Sequence, residues 1–183
     1  GKTDRGANDS DIFTVTAVTN GGTGGCPVSD GLSATAYPSG VRGTPVEINE
    51  SVAPLLFWRK EYQTDSGGSG RYRGGLGQVI EIENAIGQDM ELLAAFDRID
   101  FPARGRAGGA DGAAGRVALK KNGELQGKGC QHIPAGDRLI INTPGGGGFG
   151  PAPERDRQRV RQDLTNGIIS HHAAVGDYAL TDG

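Results

Sequence analysis

The chain has 183 residues, 33 of them glycine, and 19 Lys plus Arg against 22 Asp plus Glu leave a net charge of −3. Without a G-X-Y period this is not collagen, and without a basic excess it lacks the footprint of a nucleic-acid binder; no apolar stretch reaches the roughly 20 residues of a membrane helix. Hydrophobic residues make up 35% and aromatics 5%, so a unit this rich in residues that bury no side chain is expected to lean on partner subunits.

In chain order, the alternation of 11–19 (DIFTVTAVT) predicts a strand with Phe13, Val15 and Ala17 on one face. A turn-rich passage follows from Asn20 to Gly43, and short strands are predicted at 45–49, 55–62, 78–83 and 90–96. The densest run of glycine and arginine, DSGGSGRYRGGLG, occupies 65–77, and a second glycine and alanine loop covers 102–115. Asn122-Gly123 lies between two strand-like runs, which predicts a hairpin with a type I′ turn. A last strand at 137–143 leads into PGGGGFG. Beyond Pro151 and Pro153 the pattern becomes helical, with Val160, Leu164 and Ile168 as a narrow apolar stripe, Asn166-Gly167 as its stop, and Ser170 capping a second helix that runs to about Tyr178. Strands followed by helices predict an α+β, mainly β chain: short antiparallel strands and glycine-rich loops, then two C-terminal helices. The expected division is a β-rich region over 1–150 and a helical appendage over 151–183.

Two cysteines, Cys26 and Cys130, are too few for a disulfide scaffold and fit a reduced, cytoplasmic setting. The first ten residues do not read as a signal peptide. The single methionine, Met90, leaves two readings open: an initiator removed before Gly1, or a longer parent chain.

The segment GGGGFG at 145–150 fits GxGxxG, but the two prolines separate it from the following helix and no acidic-ended second strand follows, so a structural turn is expected there rather than a dinucleotide site. His132, His171 and His172 do not combine with Cys130 into a zinc spacing, and no metal is expected on this chain. Glu47, Glu50 and Glu61 read as solvated carboxylates beside strands rather than an acid–base pair. DSGGSGRYRGG has more chemical content. Its glycines can turn amides toward one concavity and Arg71 and Arg73 can add bidentate donors, which would hold a phosphate or carboxylate. The competing reading is that Asp65 pairs with an arginine while the glycines permit tight chain crossings.

Several strings, taken in order, resemble the C-terminal part of the hydantoinase B family, with its 5-oxoprolinase and acetone and acetophenone carboxylase branches. They are GGTGGCPVSDGLSATAYPSGVRGTPVEINE at 21–50, APLLFWRKEYQTDSGGSGRYRGGLGQ at 53–78, TPGGGGFGPAPERD at 143–156 and LTNGIISHHAAVGDYAL at 164–180. The resemblance implies a C-terminal segment or small subunit of an ATP-dependent cyclic amide hydrolase complex, contributing scaffold, subunit interface and substrate-channel residues, and inactive alone. Its alternatives are a subunit of an ATP-dependent ketone carboxylase and a purely structural interaction module. It implies ATP and Mg2+ on a hydantoinase A-like partner subunit, and a divalent metal in an upstream hydantoinase B-like region that this sequence does not contain. No residue of that upstream motif can be carried over. Asp65, Arg71 and Arg73 lie in a matching string and are the candidates for a substrate, anion or interface role.

Overall fold

The computed structural model describes residues 2–4, 10–36, 40, 41 and 43–181. Two short strands, β1 (Lys2–Asp4) and β2 (Ser10–Ile12), pair antiparallel. After α1 (Val46–Val52) come β3 (Leu55–Tyr62), β4 (Gln78–Asn84), β5 (Met90–Ala95), β6 (Arg116–Leu119), β7 (Gly123–Glu124), β8 (Lys128–Ile133) and β9 (Arg138–Asn142). They form a five-stranded sheet in the order β3-β4-β9-β6-β7 and a two-stranded sheet β5-β8, with every pairing antiparallel. The mainly β architecture with two helices at its C-terminal end is therefore the observed one.

The core follows from period-two alternation read across the sheet. Ile80 opposes Ile141 and Val117 opposes Ile141 on its other side, while Ile82, Leu139 and Leu119 form a parallel row one step along. With Met90 and Ile133 of the two-stranded sheet these residues make one buried cluster. The outer face carries charge: Arg138 bonds Glu81 and Glu83 at 2.8 and 2.9 Å, Lys120 reaches Glu81 at 2.8 Å, and the Arg138 guanidinium stacks 3.7 Å over Trp58.

Three local expectations need correction. Residues 13–16 keep alternating half-buried and exposed, but the strand ends at Ile12. PVEIN at 45–49 is the start of a helix, not a strand. Pro45 presets the entry φ and has no amide to leave unpaired, Glu47 sits in the positive first turn, and the Glu50 carboxylate accepts from the Phe57 amide at 2.8 Å, tying the helix to β3. The hairpin at Asn122-Gly123 exists, but Leu119 pairs with Gly123 across a three-residue connection, and Gly123 alone of the pair has positive φ (86°). Asp137 fixes this turn by accepting from the Lys121 amide at 3.1 Å and the Asn122 side chain at 2.6 Å.

After a 3₁₀ turn (Ala152–Glu154) come α2 (Arg157–Thr165) and α3 (His171–Gly176). Asp156 caps α2 by accepting from the Arg159 amide and Ser170 caps α3 by accepting from Ala173. Val160, Ile169, Ala174, Tyr178 and Leu180 form a second apolar cluster, with Leu164 and Ile168 packed against it.

Candidate functional site

Between the sheet and the helices lie the glycine-rich segments, and they are neither turns nor ordinary strands. Gly22 and Gly25 donate to Pro144 and Gly147, Gly31 and Ala34 to Arg73 and Leu76, and Gly145 and Gly148 to Ala113 and Ala110, all at 2.7 to 3.0 Å. Each pair of bonds is spaced three residues apart on both segments. That is the repeat of a polyproline II helix, which makes no internal hydrogen bonds and must bond sideways. Five stretches, near 20–25, 31–35, 66–77, 103–113 and 143–150, thus lie side by side.

Glycine is required here for lateral approach rather than for handedness. A Cβ on Gly22 would lie 1.8 Å from the Gly75 carbonyl oxygen, on Gly146 1.9 Å from that of Thr23, and on Gly145 nearer still to that of Ser66, and none of these three residues has positive φ. The GxGxxG match is accounted for in the same way. The amides of Gly145, Gly146, Gly148, Phe149 and Gly150 donate to carbonyls of neighbouring segments, so they cannot cradle a pyrophosphate.

The bundle is clamped to the helices by a buried ionic network. Arg155 grips Asp30 bidentately at 2.6 and 2.8 Å, reaches Asp163 at 2.8 Å, and donates to the Arg71 carbonyl at 3.2 Å. Arg73 donates to the Gly74 carbonyl at 2.9 Å and holds its Nε 3.4 Å from the same Asp163 oxygen. Burial by itself would raise the Asp30 carboxyl, but the Arg155 hydrogen bonds and charge outweigh it and hold that carboxyl below the usual carboxylate range. Burial would likewise favour neutral Arg155, and its Asp30 bonds reverse this and keep it charged. Tyr178 packs against this network. Burial pushes its phenol up to about 12, and its hydroxyl makes no hydrogen bond of good geometry among the described residues. Two arginines and two aspartates close the charge internally, so the network acts as a clamp.

The three residues singled out by sequence are separated by the fold. Arg73 is buried in the network, while Arg71, two residues earlier, is exposed, 3.9 Å from Glu154. Asp65, at φ 60°, pairs with no arginine among the described residues; its carboxylate accepts from the Ser170 amide at 2.8 Å and its own amide donates to the Ile168 carbonyl. Asp30, Arg155, Asp163 and Tyr178 were missed, and no local pattern marks them, since their meeting spans up to 125 residues of chain.

Cys26 is held below its usual thiol range by the Ser29 hydroxyl 3.1 Å away and by backbone bonds, against the opposing charge of Asp30. Among the described residues no three His, Cys, Asp or Glu side chains gather as a metal site would require, and no helix is long and apolar enough to cross a membrane. Glu47 and Glu50 stand on α1, and Glu61 engages Arg59 instead of another carboxylate.

Comparison with known proteins gives a consistent picture. The family model described as Hydantoinase B/oxoprolinase matches residues 1–152. The chain is 37% identical over 145 residues to 5-oxoprolinase 1 of Arabidopsis thaliana, covering 76% of this chain and 11% of that protein. It is 31% identical over 196 residues to caprolactamase subunit beta of Pseudomonas jessenii, covering 96% and 32%. The crystal structure of the ATP-dependent caprolactamase from Pseudomonas jessenii superposes with a TM-score of 0.75 at 26% identity, again over 96% of this chain and 32% of that one. The chain thus spans less than a third of each of these relatives.

Proposed function

The chain belongs to the hydantoinase B/oxoprolinase family, and we propose that it serves as the C-terminal segment or small subunit of an ATP-dependent cyclic amide hydrolase complex of the hydantoinase or 5-oxoprolinase type. The observation that carries this is the likeness to the ATP-dependent caprolactamase over 96% of the chain. The geometry supports a scaffold role: laterally bonded glycine segments and a closed ion clamp make a rigid body. Residues 1–150 would form the β-rich body and 151–183 the helical appendage clamped to it.

ATP and Mg2+ belong in this reading to a hydantoinase A-like partner, and a divalent metal to an upstream hydantoinase B-like region. Phosphorylation of the amide oxygen there would supply the leaving group that lets a stable ring open. This chain's part is to shape the channel and the subunit contact in a cytoplasmic complex. Within the glycine and arginine string, Arg71 is the exposed group available to a substrate or partner; Asp65 and Arg73 hold backbone and helices in place.

Co-expression with an A-like subunit and the upstream region tests the reading. Stable co-purification and ATP-dependent opening of hydantoin, 5-oxoproline or caprolactam, lost when this chain is omitted, is the expected result. A chain that runs alone and adds nothing to ring opening refutes it. ATP turnover with a ketone that requires bicarbonate, and none with cyclic amides, would replace it with the carboxylase reading.

A further inference from the structure

A cleft of about 480 Å³ opens on the glycine bundle, lined by Arg98, Arg104, Arg106 and Phe101 together with Gly147 and Gly148. Its volume falls within the range of small-molecule sites. Among the described residues no acidic side chain lines it. Among the described residues none of the three guanidiniums has an ion pair or side-chain hydrogen bond, whereas Arg59, Arg71, Arg73, Arg116, Arg138 and Arg155 are all paired. Of the nearby carboxylates, Asp97 bonds Lys128 at 2.7 Å and also attracts Arg98 through its charge, Asp111 accepts from the Gly105 amide at 2.8 Å, and the exposed Asp100 is not among the lining residues.

The backbone bearing these arginines is fixed. Arg106 donates its amide to Gly148, Gly109 donates back to Arg106, Gly112 to Ala103 and Gly115 to Arg98, each at 2.8 to 2.9 Å. Arg98 is itself held at φ 58°, a conformation that an arginine adopts only where its surroundings impose it. Three positive charges around one cavity repel each other, and a multivalent oxyanion relieves that repulsion while matching the planar forks of the guanidiniums. Phe101 is 81% exposed beside them, an apolar ring at the cleft wall with nothing to cover it among the described residues.

We propose that this cleft binds a small phosphate monoester, its phosphate on Arg98, Arg104 and Arg106 and its organic body against Phe101. The assignment does not rest on the ATP-dependent reading above, since it uses only charge and shape.

The test is calorimetric titration of the full chain, without nucleotide or partner, with inorganic phosphate and with phenyl phosphate. Both should saturate at low salt and weaken as salt rises. R104Q and R106Q should each weaken both anions by about tenfold, with an unchanged melting temperature because these side chains bond nothing else. F101A should weaken phenyl phosphate by about threefold and leave phosphate unaffected. The site is overturned if neither anion saturates, or if the R98Q/R104Q/R106Q variant binds as the unaltered chain does. Equal affinity for both anions, insensitive to F101A, would overturn the organic half of the assignment. Because no ATP chemistry enters, failure here would leave the hydrolase-complex reading standing, and failure of that reading would leave this one.

Discussion

Gly146→Ala tests the lateral packing of the glycine segments directly. The added methyl would sit 1.9 Å from the Thr23 carbonyl oxygen, 2.3 Å from its carbon and 2.8 Å from the Gly24 nitrogen. All three are backbone atoms, so no rotamer change relieves the clash, and the two segments must part by about 1.5 Å to restore ordinary contact. That separation breaks the two bonds between these segments, from Gly22 to Pro144 and from Gly25 to Gly147, both 2.8 Å, and strains those that Gly75 makes with each, to Thr23 at 2.8 Å and from Gly146 at 2.9 Å. At about 1 kcal/mol per bond and about 1–3 kcal/mol for overpacking, the loss is roughly 3–6 kcal/mol. A domain holds only about 5–15 kcal/mol in total, so G146A should unfold at far lower guanidinium concentration or fail to fold. Gly176→Ala is the matched control. Gly176 ends α3 without positive φ and with nothing within 4 Å of an added Cβ, so the same methyl should be neutral or stabilise by up to about 1 kcal/mol. A G146A midpoint within about 1 kcal/mol of the unaltered chain would refute lateral approach as the reason for these glycines.

The remaining predictions concern the ion clamp. Tyr178→Phe removes a buried hydroxyl without a good partner, so stability near neutral pH should hold or rise slightly. The folded phenol ionises near 12 and the unfolded one near 10, so its contribution is full below about pH 10 and is lost as pH climbs toward 12, about 2–3 kcal/mol in all; denaturation curves across that window should show the loss in the unaltered chain and not in Y178F. Arg155→Met strands Asp30 and Asp163 in the interior and should lower the unfolding free energy by about 3–5 kcal/mol. The depressed Asp30 carboxyl adds stability above about pH 4 that disappears as pH falls through its lower folded value, so D30N should flatten the acid limb of stability against pH. Arg71→Ala should shift the unfolding free energy by less than about 0.5 kcal/mol, and Arg73→Ala by more than about 2 kcal/mol, in parallel melts.

What the sequence determined by itself is whatever depends on near neighbours along the chain. The alternation in LLFWRKEY gives β3 over 55–62 as predicted, and Ser170 caps a short helix where its hydroxyl meets the Ala173 amide. The ordered strings at 21–50, 53–78 and 143–156 carried the family. Local pattern misled where two local signals competed, as at PVEIN, whose alternation reads as a strand although Pro45 and the Glu50 bond to β3 make it a helix.

Only the tertiary structure decided what the glycines do and which charges are buried. Read along the chain, GGTGG and GGGGFG look like turns, because a residue without a side chain carries no direction of its own. In the fold Gly21, Gly22, Gly25 and Gly145 to Gly148 mark points where another backbone passes too close for a Cβ, a fact that belongs to the neighbour and not to the glycine. Arg71 and Arg73 look equivalent in RYR, but on a three-residue repeat positions two apart face different sides, so one meets solvent and the other Asp163. Asp30 and Arg155 carry no mark of their bond because chain closure over 125 residues brings them together. Propensity is written in adjacent residues. Lateral contact and buried pairing arise from closure across the whole chain, which no short window contains.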